Sequence, residues 1–296
     1  MSKSFNDIYN EIYSKYGEEI SKAQNTKKKK VKVAFIVYCV LLLLLILAKA
    51  YFFILHFSIF YLIISLIVIN LISGKGENKV YKTGVINDLV HAEFPHSQYE
   101  YTKGISSREY NSRAFSDHYD RYHSEDLVVT NNAINLTFSE VHTETESTDE
   151  DGKTTYSTSF LGIAGFCDLV KPLNTNLYIT FNRVFGKHNK TNVHVDMPEF
   201  EKTFDVFADN KITAMGLLTA DVMTEFLDIK KELGSMFELA IEDNKIYFRM
   251  HTGNSFEMSL IKDSMGVDKL KKYYDLLCRV NKITQMINNH INELEI

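Results

Sequence analysis

Forty residues near the N-terminus, 33–72, constrain this chain more than any other feature. They read VAFIVYCVLLLLLILAKAYFFILHFSIFYLIISLIVINLI, with only Lys49, His56 and Asn70 as clearly polar interruptions. As a single helix the stretch would run about 60 Å at about 1.5 Å per residue, twice the roughly 30 Å hydrocarbon core of a bilayer. It is therefore expected to fold back as a two-helix transmembrane hairpin, with spans at 33–48 and 57–72 and a tight turn at 49–56. The run is too long for the apolar core of a signal peptide, and it begins 32 residues in.

The charge around this stretch sets an orientation. Lys27 to Lys30 and Lys32 precede it, and Lys75, Lys79 and Lys82 follow it. The positive-inside rule then places both termini in the cytoplasm and predicts a two-span protein of the cell membrane, with the lipid bilayer as a partner. Lys49 would snorkel to the outer headgroups and His56 would sit near that interface.

Residues 1–79 hold eleven lysines and five acids, a net of +6, so the whole-chain charge of -5 leaves -11 on residues 80–296. That acidity argues against nucleic acid as a partner, because phosphate binding needs clustered Lys and Arg. Cys39, Cys167 and Cys278 are isolated, which gives neither a disulfide framework nor a Cys-x-x-Cys metal pair. They read as small buried apolar side chains.

Periodicity gives the remaining elements. Phe5, Ile8, Tyr9, Ile12, Tyr13, Tyr16 and Ile20 share one face of a helix over 4–23, behind a capping-box-like start at Ser4 and Asp7. Residues 25–30 then form a polar linker. A second amphipathic helix is expected over 79–93, stopped by Pro95. From 98 to 195 apolar residues alternate, at 127 and 129, 134–138, 156–160 and 177–181, which predicts antiparallel strands. The acidic run 140–152 between two of them reads as a solvated hairpin loop, since its oxygens lack the offsets of a calcium loop.

A strand at 204–208 leads through Asp209 and Asn210 into helical spacing through Ile212, Met215 and Leu218. A further helix follows, capped by Thr219 and stopped by Gly234. Three short strands, 236–242, 245–251 and 255–261, form a meander. A long helix from Val267 closes the chain, with Leu270, Tyr273, Leu277, Val280, Thr284, Ile287, Ile291 and Leu294 on a heptad stripe. The stripe would pack inside the chain or zip against a partner.

The expected fold class is α+β: the transmembrane hairpin, then a cytoplasmic domain of antiparallel sheet with flanking helices and the long C-terminal helix. The domain organisation is an amphipathic helix and basic linker at 1–30, the hairpin at 31–73, a β-rich half at 79–196 and an α+β half at 197–296.

The best candidate for chemistry is Asp117, His118, Asp120 and His123. These are ligand types for zinc or manganese, yet five residues between the histidines put them on opposite faces of a strand. A polar loop entering a strand explains them more simply. Residues 186–191, GlyLysHisAsnLysThr, lack the spacing and the helix start of a phosphate loop. Asp209 suits a turn, and Asp221 suits the first turn of a helix, where it meets the positive end of the macrodipole. No motif implies a cofactor.

Several blocks carry a family resemblance. TyrGluTyrThrLysGlyIle at 99–105, TyrHisSerGluAspLeuValVal at 122–129 and PheLeuGlyIle at 160–163 are three of them. The most specific are ProGluPheGluLysThrPheAspValPheAlaAspAsn at 198–210 and AlaMetGlyLeuLeuThrAlaAspValMetThrGluPheLeu at 214–227. Over residues 80–290 the chain resembles a bacterial membrane-protein family known as domain of unknown function 3137, with its Phe-x-Lys-x-Phe-x-Val core. The family's usual arginine near Ala214 is absent. The resemblance implies an N-terminal helix, two close spans and a cytoplasmic region, and brings no catalytic residues.

The function expected from these readings is a membrane-anchored interaction or scaffold protein. Leu270, Leu277, Ile287, Ile291 and Leu294, opposite Phe5, Tyr9 and Ile12, are its expected contact residues for a protein partner or a second copy. The alternatives are a membrane-surface enzyme with metal at Asp117, His118 and His123, or a domain that binds a lipid headgroup or a peptide across a sheet edge.

Overall fold

The computed structural model describes residues 3–47, 63, 79–110, 115, 118–173, 175–181, 193–234, 237–257 and 263–294. By packing, the chain divides into two compact units, one of Met1–Leu89 with Glu257–Lys271 and one of Val90–Phe256 with Lys272–Ile296.

The first unit is helical. Helix α1 spans Phe5–Leu47 without a break, so the expected linker at 25–30 is helix, as its consecutive lysines, good helix formers, allow. Ile8, Ile12 and Ile20 are buried, and so are the polar Gln24 and Lys27. A π-helical turn, Tyr81–Ile86, runs into helix α2, Asn87–Glu93. At Gly84 an added Cβ would come within 2.7 Å of the Tyr16 ring, so the two elements approach closely only because that position lacks a side chain. Polar anchors tie the unit together. The Tyr9 hydroxyl donates to the Met265 carbonyl at 3.1 Å, Gln24 donates to Ser264 Oγ at 2.8 Å, and the buried Lys82 pairs with Glu257 at 2.6 Å.

The expected two-helix transmembrane hairpin does not stand. Residues 33–47 are the last third of α1, a helix whose earlier turns carry the lysines at 27–32 and a polar N-terminal half, and not an independent apolar span. Among the described residues no helix is long and apolar enough to cross a membrane. Apart from Ile63, the second expected span lies outside the described residues.

The second unit is built on an antiparallel eight-stranded sheet of order β1-β2-β3-β4-β8-β7-β5-β6. The strands are β1 Ser97–Glu100, β2 Arg121–Thr130, β3 Thr137–Thr148, β4 Thr154–Asp168, β5 Leu177–Phe181, β6 Phe204–Ala208, β7 Phe237–Glu242 and β8 Lys245–Met250. The sheet draws strands from both sides of residue 196, because β4 pairs with β8 and β5 pairs with both β6 and β7. Helices α3 Ser107–Tyr110, α4 Pro198–Glu201, α5 Lys211–Leu217, α6 Ala220–Leu233 and α7 Val267–Glu293 complete the described elements. Asn210 caps α5 by accepting from the Ile212 and Thr213 amides. Gly234 ends α6 in the left-handed region at φ 60°, which favours glycine.

Alternation separates the two sheet faces. Phe237, Leu239 and Ile241 on β7 stand opposite Met250, Phe248 and Ile246 on β8, all essentially inaccessible. This face meets α6, where Phe226 lies 5.0 Å from the Phe237 ring. The other face pairs Glu238 with Arg249 and Ala240 with Tyr247. Ile105, Tyr110 and Phe115 cover parts of it, packing with Val141 and Phe160 at one end and with Tyr178 and Phe207 at the other.

Two local expectations change. The acidic run 140–152 is mostly strand: Glu140 is buried, its carboxylate accepting from the Ser255 and Phe256 amides at 2.8 and 3.3 Å. Only 149–153 make the turn, closed by bonds from Asp149 N to Lys153 O and from Gly152 N to Asp149 O. Of the expected third meander strand, residues 255–257 are not strand and 258–261 lie outside the described residues, as do 186–191.

Candidate functional site

The structure places the expected metal ligands apart. Asp117 lies outside the described residues, and the His118 side chain is 82% exposed. His123 stands opposite His142 in the β2–β3 pair, and His142 instead meets Thr158 Oγ1 at 3.0 Å. Among the described residues no group of three ligating side chains includes His118 or His123. Asp120 serves the backbone instead. Its Oδ2 accepts from the Glu146 amide at 2.6 Å, and its own amide donates to the Glu144 carbonyl at 2.8 Å.

Asp120 marks the base of a projecting arm. The β3–β4 pair continues to Thr148 and Thr154, whereas the β2 ladder stops at Arg121–Glu144 and the β8 ladder at Met250–Ile163. The bonds at Glu144 and Glu146 direct the even-numbered residues of β3 toward β2. The odd-numbered residues therefore face β4, which pairs Thr145 with Ser157 and Ser147 with Thr155, in line with the Asp149–Lys153 closure. A one-residue bulge at Ser159 keeps this register. By the same alternation Thr154, Tyr156 and Thr158 point their N–H and C=O groups away from β3. On that side the last backbone bond among the described residues runs from Gly253 N to Leu161 O. Thr154 to Thr158 are all exposed.

Parts of the other sheet margins are short or covered. Strand β1 is only four residues long, the outer side of β6 receives a bond from Val193 N to Val206 O at 2.9 Å, and Asp120 takes the Glu146 amide and the Glu144 carbonyl at the base of the arm's β3 side. Short strands, covering segments and inward charges are how proteins blunt sheet edges. Residues 154–159, ThrThrTyrSerThrSer, contain no charge and no proline. Around this open edge the arm is acidic, with Glu144, Glu146, Asp149, Glu150 and Asp151 against Lys153. Arg121 lies over the Tyr156 ring at 3.3 Å, and the Tyr156 hydroxyl donates to Glu146 at 2.9 Å. Sequence reasoning placed strands here and missed the edge, although a β-prone run without gatekeeper charges was its available signal.

Three polar clusters have the residue types of chemical centres. Glu238 and Arg249 form a buried ion pair, with the guanidinium 4.7 Å from the Phe115 ring and 5.7 Å from Phe160. His251 Nε2 lies 3.8 Å from Glu238. This pair bridges neighbouring strands and is packed shut by aromatic rings. The second cluster joins Thr219, Asp221 and His290. Both Thr219 Oγ1 and Asp221 Oδ2 meet the same nitrogen, His290 Nε2, at 3.2 Å. A nucleophile–base–acid relay needs hydrogen-bonded partners on different ring nitrogens; at the other nitrogen, Nδ1, Glu293 Oε2 stands 3.8 Å away, beyond hydrogen-bond reach, so this arrangement is a helix start tied to α7. Thr219 holds Asp221 below the ordinary carboxylate range, His290 adding to the effect. In the third cluster, burial and then the Glu93 carboxylate push the Cys278 thiol up to about 12. A thiol held protonated in this way is a poor nucleophile.

The expected contact residues are covered by the chain itself. Ile12, Leu270, Leu277, Ile287 and Ile291 are buried, and Phe5, Tyr9 and Leu294 are half-buried. Helix α7 is held through Asn288, which donates to the Asp168 carbonyl and accepts from the Val170 amide, and through Arg279, which donates to Glu225 at 2.7 Å. The most family-like block is likewise interior. Phe200 and Phe204 lie 4.8 Å apart, and both meet Phe226, which joins Phe237 and then Phe248 in one aromatic row. The Phe-x-Lys-x-Phe-x-Val pattern therefore encodes packing between β6, α4 and α6.

Comparison with curated proteins gives no match. Among solved structures, the chain is similar to the crystal structure of the mycobacterial trehalose monomycolate transport factor A, TtfA, at 10% identity and a TM-score of 0.35, over 68% of this chain and 94% of that one. A likeness that slight carries no argument about fold or function. A family model described as protein of unknown function, DUF3137, matches residues 158–289. The match bears out the family expected from the sequence, over a shorter span than 80–290, and brings no membrane description with it. The similarity to the DUF3137 family is thus carried by residues 158–289.

Proposed function

We propose that this protein is a non-catalytic interaction or scaffold protein that holds its partner on the β3–β4 arm. The observation that carries the reading is the outer edge of β4 at 154–158, exposed and without a backbone bond on that side among the described residues. Backbone groups left facing water along a strand are a template for an added strand, and such addition is a common mode of peptide recognition. Membrane attachment, with the sheet-bearing unit on the cytoplasmic side, is proposed from the apolar residues 33–72 and their flanking lysines. The heptad stripe contributes to the interior, so the partner contact moves from the terminal helix to the arm.

The test is crosslinking and purification of the chain from its own cells, beside a form whose arm is shortened by joining Glu144 to Thr158 through a two-residue turn. The expected result is one or more specific proteins recovered with the intact chain and lost with the short-armed form. Recovery of no protein by either form would overturn the reading.

A further inference from the structure

The arm's chemistry selects among the strands that its edge would accept. Thr154, Tyr156 and Thr158 offer three N–H and three C=O groups to a neighbour on the β8 side. Their side chains share one face with Glu144 and Glu146, because Thr158 stands opposite Glu144 and Tyr156 opposite Glu146. A strand laid along this edge runs past Tyr156 on that face. At one end it passes the turn that carries Asp149, Glu150 and Asp151. Five carboxylates against Lys153 give residues 144–158 a net charge of -4. Arg121 offsets part of it at the base, where it lies over Tyr156 and 4.0 Å from Glu144. Toward the turn the arm is acidic.

Two copies joined edge to edge would each bring a -4 arm to the same ribbon, and like charges near paired strands oppose association. An added strand that carries Lys or Arg meets opposite charge at the turn and on the Glu146 face. On the reading that the arm is the interaction site, we infer that the outer edge of β4, residues 154–159, takes an extended, lysine- or arginine-bearing peptide segment of another protein by strand addition. Affinity then comes from backbone bonds to Thr154, Tyr156 and Thr158, and selectivity comes from the acidic turn.

The experiment uses the 296-residue chain in mild detergent and a fluorescent ten-residue peptide alternating Lys with Thr and Val. Two comparison peptides are a Glu-for-Lys version and a version N-methylated on alternate residues, which removes the edge-facing donors. On the protein side, Thr158→Pro removes an outward N–H without touching the β3 ladder. A second variant, Asp149→Asn with Glu150→Gln and Asp151→Asn, leaves the edge intact and discharges the turn. Circular dichroism checks that both variants keep their fold.

The lysine peptide is expected to bind at low salt. A loss of at least tenfold is expected with N-methylation, with Thr158→Pro and with the glutamate peptide, and a several-fold loss with the discharged turn. No binding of the lysine peptide, or binding indifferent to N-methylation and to Thr158→Pro, would overturn the inference. So would a doubling of the chain's mass in light scattering that Thr158→Pro abolishes, which would make the occupant a second copy. Specific partners recovered by crosslinking and retained by the Thr158→Pro protein would leave the interaction reading standing while this inference falls.

Discussion

Truncating Phe226 to alanine tests whether the family block is a core or a site. Phe226 is fully buried and touches three rings, Phe200 at 5.9 Å, Phe204 at 5.4 Å and Phe237 at 5.0 Å between centroids. Removing a buried phenylalanine ring costs about 3–5 kcal/mol, from lost transfer energy plus the cavity left behind. Each aromatic pair contributes about 0.5–1.5 kcal/mol beyond its buried area, so three such contacts place this site at the upper end. Against a total stability of about 5–15 kcal/mol, one substitution removes a third or more. With a urea slope of about 2 kcal/mol per molar, the midpoint falls by roughly 1.5–2.5 M, read by circular dichroism in mild detergent. The exposed Glu199 in the same block is the control: Glu199→Gln stays within about 0.5 kcal/mol. A Phe226→Ala midpoint shift below about 0.5 M at unchanged slope would refute the packing argument.

Further outcomes follow from the same geometry. Breaking the buried Glu238–Arg249 pair with Arg249→Met costs about 3–5 kcal/mol in urea unfolding, and adding Glu238→Leu returns most of it; additive losses would contradict the pairing. Burial raises the Cys167 and Cys278 thiols from 9.0 to about 12, so the folded chain binds their protons more tightly than the unfolded chain does. Their contribution to stability is therefore complete below pH 9 and is lost as pH rises from 9 toward 12. Thermal unfolding across that window reads the loss, and a double Cys→Ala chain with the same alkaline slope would contradict it. Asp120→Ala unplugs the Glu146 amide, and faster hydrogen exchange there is the expected readout; unchanged protection would contradict the capping role.

Local chemistry was legible in the sequence wherever it decided the outcome. Thr219 and Gly234 bound α6 as expected, Asp209 and Asn210 turn β6 into α5, and the helix from Val267 runs to Glu293. Periodicity marked the apolar stripe of α7 correctly, but a stripe does not name what covers it, and Leu277 and Ile291 are buried within their own chain. It also misplaced Ile212 and Met215, which are exposed on α5 while Ala214 and Leu217 face inward. The four-lysine run read as a linker because charge suggested solvent, yet lysine propagates a helix well and α1 passes through it. Glu140 looked like loop because nothing local reveals that the Ser255 and Phe256 amides, more than a hundred residues away, receive its carboxylate. The open edge of β4 depends on where β2 and β8 stop, and those ladders are long-range pairings invisible to local pattern.

The most direct test of the arm is residue-resolved hydrogen exchange on the chain alone. The register predicts a strict alternation on β4: slow exchange at Thr155 and Ser157, whose amides face β3, and fast exchange at Tyr156 and Thr158, whose amides face outward. Fast exchange at the second pair establishes an unoccupied edge ready for an added strand. Slow exchange at Tyr156 and Thr158 would mean that the edge is already paired and would contradict the arm as the site of interaction.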